Sequence, residues 1–383
     1  MSRPPRIVIS AGEASGDRLG AGLARALRER RPDVELVGMG GDEMAASGVR
    51  LVQHASEVAV VGFVEVIRHL PAIRRAMASL ETLLDDERPE LVVPVDFPDF
   101  NLRLAARAHA RGIPVVYYVS PQVWAWRRGR VRTIRSIVRR MLVLFPFESA
   151  FYASEGVPVT FVGHPAAAGG IPRDTASLRR GIGLPDQGPV VALLPGSRRG
   201  EVTRHLPILL EAARLLRRRI PSASFVVPQA RTLPAGLLEE IVAASRLPGV
   251  LVHAGDYPGV LHLCAAGAVA SGTATLDAAL AGLPTVVVYR MQALSYLLAR
   301  RLVQVPHIAL PNLVAGRRIF PELVQEAFTP EAVAGTIASW IEDDEAARRV
   351  RDALGELRAQ LCGEGAFDRA AQAVLDELSR GGN

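Results

Sequence analysis

Near the middle of the chain lies the stretch Leu193-Leu194-Pro195-Gly196-Ser197-Arg198-Arg199-Gly200-Glu201, from which the rest of the sequence can be interpreted. The apolar run before it, residues 189–194, is typical of a buried parallel strand. After it, apolar residues recur at helical spacing from about residue 202 to 220. A strand, a Gly-Ser turn and a helix start gather free backbone N–H groups, and the two arginines suit a diphosphate. The alternative is an ordinary strand-to-helix turn with surface arginines.

Length and composition indicate two domains of ordinary size. The chain has 383 residues, of which 49% are hydrophobic, so each half can bury a core. The two cysteines, Cys264 and Cys362, lack metal-ligand spacing, which argues against a zinc site or a disulfide scaffold. The N-terminus lacks the apolar region of a signal peptide, and no run of about 18 uncharged apolar residues predicts a membrane span. We therefore expect a cytosolic type of protein.

The net charge is +6, and all 45 basic residues are arginines, which first suggests a coding bias rather than a function. Seven arginines nevertheless fall between Trp124 and Arg140 with no acidic residue among them. Such a cluster can attract phosphates, nucleic acid or an anionic membrane, although a solvated helix face is the simpler explanation. No nucleic-acid-binding motif is present in the sequence, so we expect no nucleic-acid partner.

Strands and helices alternate along both halves, which predicts parallel sheets with helices on both faces. In the first half, strands are predicted at residues 6–10, 35–38, 90–95, 115–119, 141–144 and 159–162. In the second half, they are predicted at residues 189–194, 224–227, 250–253, 268–270 and 285–289, and the pattern is helical from about residue 330. Residues 163–172, rich in Gly, Pro and small side chains, are the predicted linker. The predicted division is an N-terminal domain of residues 1–164, a C-terminal domain of residues 165–345 and a helical segment of residues 346–383.

Two turns of the second half are predicted to face phosphate groups, at residues 195–198 and 271–273. At the second turn, Ser271 or Thr273 is expected to cap the following helix while backbone N–H groups meet an anion. Asp277 lies one helical turn beyond Thr273, where its carboxylate can bind both hydroxyls of a ribose. A common helix cap and a surface carboxylate would give the same residues, but the combination favours a nucleotide. The first half fails the dinucleotide fingerprint at residues 38–41, which disfavours a dehydrogenase.

Six motifs in the chain have a recognisable order and spacing. They are Gly12-Glu13-Ala14-Ser15-Gly16-Asp17, Val95-Asp96-Phe97-Pro98-Asp99-Phe100-Asn101, Tyr118-Val119-Ser120-Pro121-Gln122-Val123-Trp124-Ala125-Trp126, Leu194-Pro195-Gly196-Ser197-Arg198, Ala270-Ser271-Gly272-Thr273-Ala274 and Leu310-Pro311-Asn312-Leu313. Together they resemble the lipid-A-disaccharide synthases, which are glycosyltransferases of the GT-B fold. The similarity runs from about Arg6 to Gln325, and the second and third motifs are specific to that family.

The resemblance implies an α/β fold of two Rossmann-like, parallel-sheet domains that face each other across a cleft. It also implies an inverting transfer of 2,3-diacylglucosamine from UDP-2,3-diacylglucosamine to the 6-hydroxyl of 2,3-diacylglucosamine 1-phosphate. The products would be UDP and a β(1→6)-linked disaccharide. The expected place of this reaction is the cytoplasmic face of the inner membrane of a Gram-negative bacterium, with the enzyme bound peripherally.

An inverting transfer needs a base that takes the proton of the attacking hydroxyl, and stabilisation of the departing UDP. Asp96, at a predicted strand end, holds the family's position for the base; alternatively, it only orients the acceptor hydroxyl. Asp99 is the rival carboxylate, which we instead expect to cap a helix that begins near Asn101. Arg198 and helix N-termini can stabilise the diphosphate, and the sequence has no DxD motif. We therefore expect neither a metal ion nor another cofactor.

The resemblance assigns further residues to the two substrates. On the acceptor side, where a turn can hold the 1-phosphate, it places Glu13, Ser15 and Gly16. To the donor UDP it assigns Gly196, Ser197, Arg198, Glu201, Ser271, Gly272, Thr273, Asp277, Asn312 and Gln325. One position departs from the family pattern, because Asp277 stands where most members carry Glu. Its ribose contact must therefore reach about one methylene further.

Both substrates carry acyl chains, so contact with a membrane surface is expected. A stripe of apolar residues at helical spacing, interspersed with basic residues, is typical of an interfacial helix. Its members are Phe63, Val66, Ile67, Leu70, Ile73, Met77 and Leu80. A second apolar and basic stretch, residues 293–303, suits an interfacial helix and a core helix equally well. Apolar faces near the C-terminus are compatible with a homodimer.

Two other functions stay open from the sequence alone. One is another UDP-sugar enzyme of the GT-B fold, either the peptidoglycan GlcNAc transferase or a non-hydrolysing UDP-GlcNAc 2-epimerase. An epimerase has no acceptor and would not need the Trp-Ala-Trp stretch or the amphipathic segments. The other is a basic, membrane-peripheral binding protein without catalysis.

Overall fold

The structure is a computed structural model that describes residues 3–58, 63–124, 129–169, 175–230, 232–292, 296 and 305–381, with the side chains of 63–69, 175 and 381 left aside. The chain divides into two compact units. The first consists of Met1–Ala168 together with Leu361–Asn383, and the second of Gly169–Gln360. Each unit contains its own parallel sheet.

The sheet of the first unit has its strands in the order β3-β2-β1-β4-β5-β6-β7, all parallel. The strands are β1 (Arg6–Ala11), β2 (Glu35–Gly40), β3 (Arg50–His54), β4 (Leu91–Val95), β5 (Val116–Tyr118), β6 (Arg140–Val143) and β7 (Val159–Phe161). The helices of this unit are α1 (Ala14–Arg30), α2 (Asp42–Ala46), α3 (Phe63–Glu87), α4 (Pro98–Ala110), α5 (Arg130–Ile137), α6 (Pro146–Ser154) and, from the end of the chain, α15 (Ala366–Gly381).

Both faces of this sheet are covered, as the apolar runs in the sequence predict. All five residues of β4 are buried, and their side chains alternate between two cores. Val92 packs with Leu80 of α3 and Leu104 of α4 on one face. Val93 packs on the other face with residues of α1 and α15, among them Val374. The carboxyl ends of the parallel strands therefore share one edge, at which loops are left to carry chemistry.

The second unit has the strand order β10-β9-β8-β11-β12-β13, again all parallel. Its strands are β8 (Val190–Leu194), β9 (Ser224–Pro228), β10 (Val250–His253), β11 (Ala266–Ala270), β12 (Thr285–Tyr289) and β13 (Glu322–Val324). Its helices are α7 (Thr175–Gly181), α8 (Arg199–Arg219), α9 (Leu237–Ser245), α10 (Tyr257–Leu263), α11 (Ala274–Leu280), α12 (Leu310–Ala315), α13 (Pro330–Glu342) and α14 (Asp344–Gln360).

In both sheets the strand order reverses beside the first strand. The reversal lies between β1 and β4 in the first unit and between β8 and β11 in the second. In open parallel sheets, ligands bind at the carboxyl ends of the strands where the order reverses. These two positions are therefore where sites are expected.

Every strand predicted from the sequence is present, with ends that differ by no more than two residues. The edge strands β3 and β13 were not predicted. The final helix also departs from the predicted division, because α15 does not belong to a separate helical segment. Its residues Ala370 and Val374 are fully buried in the core of the first unit. Phe367 packs so closely on α1 that a Cβ at Gly22 would lie 2.2 Å from its ring.

The predicted interfacial stripe is partly wrong. Met77 and Leu80 are buried in the core of the first unit, where they cannot touch a membrane, and Ile73 packs against that core. Leu70 is exposed, at 38%. The side chains of Phe63, Val66 and Ile67, and all of residues 293–303 except Tyr296, lie outside what the structure describes. Within the described residues, no helix combines the length and the apolar character needed to cross a membrane.

Candidate active site

Asp96 directly follows β4, at the strand reversal of the first unit. Asp96 and Phe97 both have left-handed backbone conformations, with φ of 49° and 48°. Two such residues in succession are costly for side chains with a Cβ and persist only where the surroundings enforce them. They turn the chain sharply from the strand into α4, which begins at Pro98.

Hydrogen bonds to the backbone carbonyl of Asp96 hold this turn. The Asn101 side-chain amide donates to that carbonyl at 2.9 Å, and the Tyr117 hydroxyl donates to it at 2.7 Å. The same amide nitrogen also contacts the carbonyl of Ser10 at 3.0 Å, while the Ser10 hydroxyl donates to the amide oxygen at 2.8 Å. Asn101 is fully buried, so β1 and β4 are fixed to each other beside Asp96.

The carboxyl group of Asp96 has the electrostatics of a base that works near neutral pH. Burial raises its pKa, the negative charge of Glu13 raises it further, and the N–H of Phe97 lowers it in part, leaving a pKa of about 6. Close packing keeps the neighbouring loop in place, because a Cβ at Gly12 would lie 2.2 Å from the Phe97 ring. Such a shifted carboxyl at a strand end marks a candidate catalytic group.

Asp99 does not have the predicted role. The helix α4 begins at Pro98 rather than near Asn101, so Asp99 lies within its first turn, and the N-cap position belongs to Phe97. The Asp99 side chain is exposed and pairs with Arg130 of α5. A carboxylate in the first turn stabilises the helix through its dipole.

The three predicted acceptor residues lie together where β1 passes into α1. Glu13 is the N-cap residue of α1 and makes no side-chain capping bond, and both Glu13 and Ser15 are exposed. Gly16 is buried, and a Cβ there would approach the Val95 carbonyl to 3.5 Å. Asp17, in the same motif, instead accepts hydrogen bonds from backbone N–H groups at the start of α2, including that of Gly41 at 2.6 Å.

A buried carboxylate beside the Ser120–Trp124 loop was not singled out from the sequence. Glu148 of α6 is 3% exposed and accepts the indole N–H of Trp124 at 3.1 Å on one oxygen. Its other oxygen accepts the backbone N–H of Phe145, also at 3.1 Å. Burial raises the pKa of Glu148 to about 7, against the opposing effect of these hydrogen bonds. Trp124 is thereby held by the carboxyl group of Glu148. Ala125 and Trp126 lie outside the described residues.

In the second unit, the turn after β8 is built around Gly196 and Glu201. Gly196 has φ of +121°, and a Cβ there would lie 2.5 Å from a carboxylate oxygen of Glu201. That carboxylate accepts the Ser197 N–H at 3.2 Å and pairs with Arg198 at 3.2 Å. The Arg198 side chain is 73% exposed, so most of its N–H groups can reach a ligand. Glu201 therefore stabilises the conformation of the turn through its contacts with Ser197 and Arg198.

The second predicted phosphate turn follows β11, next to β8 in the sheet. Gly272 and Thr273 are exposed there, but neither predicted cap forms. Thr273 occupies the N-cap position without a side-chain bond, and the Ser271 hydroxyl donates instead to the carbonyl of Ile308 at 2.8 Å. Asp277, in the first turn of α11, lies close enough to Tyr257 that its charge adds to burial in raising the pKa of that phenol.

Asn312 and Gln325 use their amides inside the unit. Asn312 is fully buried, donates to the Phe320 carbonyl and to Glu322, and accepts two backbone N–H groups. These four bonds exhaust the hydrogen-bonding capacity of an amide. The Gln325 amide pairs with the backbone N–H and carbonyl of Met291, at 2.8 and 3.3 Å. Both side chains therefore organise backbone segments of the second unit.

Comparisons with known proteins agree with this geometry. The chain matches the family model of lipid-A-disaccharide synthetase over residues 7–376. It is 44% identical over 383 residues to the lipid-A-disaccharide synthase of Myxococcus xanthus, with 100% of each chain covered. Its fold is similar to that of a calicheamicin glycosyltransferase, with a TM-score of 0.60, 17% identity and 100% of both chains covered. A putative UDP-N-acetylglucosamine 2-epimerase from Listeria monocytogenes gives a TM-score of 0.69 at 12% identity, covering 99% of this chain and 98% of that one.

Two parallel Rossmann-like sheets, each with polar turns at its strand reversal, are the architecture of the GT-B class of fold, and the predicted α/β fold class is confirmed. The similarity to the epimerase, at 12% identity, shows the fold alone. Within the GT-B class, the chain belongs to the lipid-A-disaccharide synthetase family. It is thus a hexosyltransferase, and none of the alternatives is favoured: not the peptidoglycan GlcNAc transferase, not the epimerase and not the non-catalytic binding protein.

Proposed function

We propose that this enzyme transfers 2,3-diacylglucosamine from UDP-2,3-diacylglucosamine to the 6-hydroxyl of 2,3-diacylglucosamine 1-phosphate, with inversion, to give the β(1→6) disaccharide and UDP. The observation that carries the proposal is Asp96, a carboxyl at the strand reversal with a pKa of about 6, in a chain of this family. A carboxylate with that pKa is ionised at neutral pH and more basic than an ordinary aspartate. It is therefore suited to take the proton of the acceptor hydroxyl as that oxygen attacks.

The leaving UDP is stabilised in this proposal by the two turns of the second unit. The exposed guanidinium of Arg198 supplies positive charge to the diphosphate, and the Gly196 and Gly272 turns supply backbone N–H groups. Asp277 accepts the ribose hydroxyls. Asn312 and Gln325 act indirectly, by holding the segments to which they are hydrogen-bonded.

On the acceptor side, we assign Glu13, Ser15 and Gly16 to the turn that receives the sugar 1-phosphate. Ser15 can donate a hydroxyl hydrogen bond from its exposed position in the first turn of α1. Glu13 has a further effect through its charge, which raises the pKa of Asp96. Because a phosphate would be repelled by Glu13, we expect Ser15 and the helix start to make the closer contacts.

The enzyme is also proposed to act at the cytoplasmic face of the inner membrane. Its substrates carry acyl chains, and Leu70 is exposed on α3 beside the exposed Arg74 and Arg75. An apolar side chain next to arginines suits an anionic bilayer surface. Sedimentation with vesicles that contain anionic lipid tests this, and binding that persists unchanged in Leu70→Ser would remove Leu70 from the contact. A homodimer remains a prediction, which light scattering can test.

The catalytic assignment is tested by Asp96→Asn, which keeps the size of the side chain and removes the base. We expect disaccharide formation to fall by about 100- to 10,000-fold, while UDP binding by calorimetry is unchanged. Asp99→Asn is the matched control, since Asp99 pairs with Arg130 at the surface, and its turnover should stay within about threefold. Wild-type turnover by Asp96→Asn would refute the base, and no disaccharide from the wild type with both lipid substrates would refute the reaction.

A further inference from the structure

His205, on the buried side of α8, joins two backbone segments through its two ring nitrogens. Nδ1 lies 2.8 Å from the carbonyl oxygen of Pro195, and Nε2 lies 3.0 Å from both the backbone nitrogen and the carbonyl oxygen of Arg290. In the tautomer that carries the proton on Nδ1, the ring donates to the Pro195 carbonyl and accepts the Arg290 N–H at Nε2. The side chain is 0% exposed, and its ring centroid lies 5.4 Å from that of Tyr289 and 5.8 Å from that of Phe328.

The bond to Pro195 determines the direction of a neighbouring N–H group. A trans peptide is rigid, so the carbonyl of Pro195 and the N–H of Gly196 point in opposite directions. Since the carbonyl is bound to a ring in the core, the Gly196 N–H is turned away from that core. Any other residue at position 196 would be strained, because the backbone φ there is +121° and a Cβ would clash with Glu201.

Hydrogen bonds on the exposed side of the turn hold its next residue, Ser197. The Ser197 N–H is already bound to Glu201 at 3.2 Å, and the exposed Thr232 donates its hydroxyl to the Ser197 carbonyl at 2.7 Å. The Ser197 N–H is therefore engaged by a carboxylate, whereas the Gly196 N–H is directed outward by His205. This distinguishes two N–H groups that the sequence motif treats alike.

We propose that His205 is a positioning residue for the donor: it orients the Pro195–Gly196 peptide so that the Gly196 N–H meets the diphosphate of the UDP-sugar, and it fixes this turn to the end of β12. The inference rests on the proposed donor site. His205 touches neither substrate and acts only through the backbone. Its effect should therefore appear in the binding of donor and UDP, with the acceptor unaffected.

Two substitutions separate the two bonds of the ring. His205→Asn places an amide nitrogen near the position of Nδ1, which keeps the bond to Pro195 and loses the one to Arg290. His205→Gln places its amide near Nε2, which keeps Arg290 and loses Pro195. We expect His205→Gln to raise the donor KM and the UDP dissociation constant about tenfold, and His205→Asn to raise them by less than about threefold. The thermal unfolding temperature should shift by a similar amount in the two variants. The acceptor KM should not change in either of them.

A second variant keeps the inference testable if the core tolerates neither change. Thr232→Val removes the hydrogen bond from the exposed Thr232 hydroxyl to the Ser197 carbonyl and leaves the core unchanged. It should raise the donor KM about threefold. Equal donor KM values in the two His205 variants, or a wild-type value in a folded His205→Gln, would overturn the role of His205. Arg198→Ala distinguishes the underlying proposal: a wild-type donor KM in that variant would move the donor site elsewhere, whatever the His205 variants show.

Discussion

Glu13 and Asp96 follow two hydrogen-bonded neighbouring strands, β1 and β4, and the charge of Glu13 raises the pKa of Asp96. Burial makes the larger contribution and Glu13 the next, so Asp96 reaches a pKa of about 6. The two carboxylates differ in their environment, because Glu13 is exposed whereas Asp96 is desolvated. Like charges at short range favour protonation of the more buried group.

The first prediction concerns the pH dependence of the transfer. A base must be deprotonated, so kcat/KM should rise with pH through about 6 and level off above it. Glu13→Gln removes the repulsion, lowers the pKa of Asp96 and should move this acid limb to lower pH. Initial rates measured between about pH 4.5 and 8.5 at fixed ionic strength check this. An acid limb that stays in place would show that Asp96 does not govern it.

The second prediction concerns Glu148, whose folded pKa of about 7 is raised from an ordinary value of 4.5. Between these two pH values the folded state binds more protons than the unfolded state, so stability should fall as pH rises. The loss is expected to be on the order of 2 kcal/mol from about pH 5 to pH 8. In Glu148→Gln this fall should largely disappear, as measured by denaturant unfolding at both pH values. An equally steep fall in the variant would assign the titration to another group.

The third prediction uses two glycines four residues apart. Gly196→Ala brings a Cβ to 2.5 Å from Glu201, whereas a Cβ at Gly200 meets nothing within 4 Å. We therefore expect Gly196→Ala to raise the donor KM by about tenfold or more, and Gly200→Ala to leave it unchanged. Donor and acceptor KM values measured separately make the comparison. A donor KM that rises equally in both would attribute the effect to the helix start rather than to the turn.

The fourth prediction concerns the attachment of α15. Gly22→Ala should push the Phe367 ring away from α1 and destabilise the protein by about 1–3 kcal/mol. Gly335→Ala is the control, because a Cβ there has no atom within 4 Å and alanine favours the helix by about 0.5–1 kcal/mol. Chemical denaturation of both variants measures the difference. Should Gly22→Ala prove as stable as the wild type, the close packing of Phe367 would have little energetic weight.

The sequence predicts the interior of the fold well because buried parallel strands leave continuous apolar runs. Its failures are at the edges of the sheets. In β3, Gln53 and His54 are only half-buried, so the strand lacks an apolar run. The strand β13 has three residues and begins with Glu322, so it also lacks an apolar run. These two edge strands are defined by the neighbours they pair with rather than by their own composition.

The site could be located from its motifs, but not the bonds that hold it. Residue type marks Asp96 and Gly196, because strand ends and tight turns restrict what can stand there. The supports of these residues are distant in the sequence: Tyr117 is 21 positions from Asp96, and Trp124 is 24 from Glu148. No pattern within a short stretch of sequence predicts hydrogen bonds between such distant residues. The motif containing Asn312 likewise gives no sign that its amide is turned inward and fully bonded.

The chain leaves the first unit after Ala168 and returns to it at Leu361, so the second unit is an insertion within the first. During synthesis, residues 169–360 are made before Ala370 and Val374, which are core residues of the first unit. The unit with Asp96 is thus begun first and closed last. The apolar residues of its sheet that pack against α15 therefore stay exposed until that helix has been made. A chain truncated before α15 would consequently expose apolar core residues of the unit that contains Asp96.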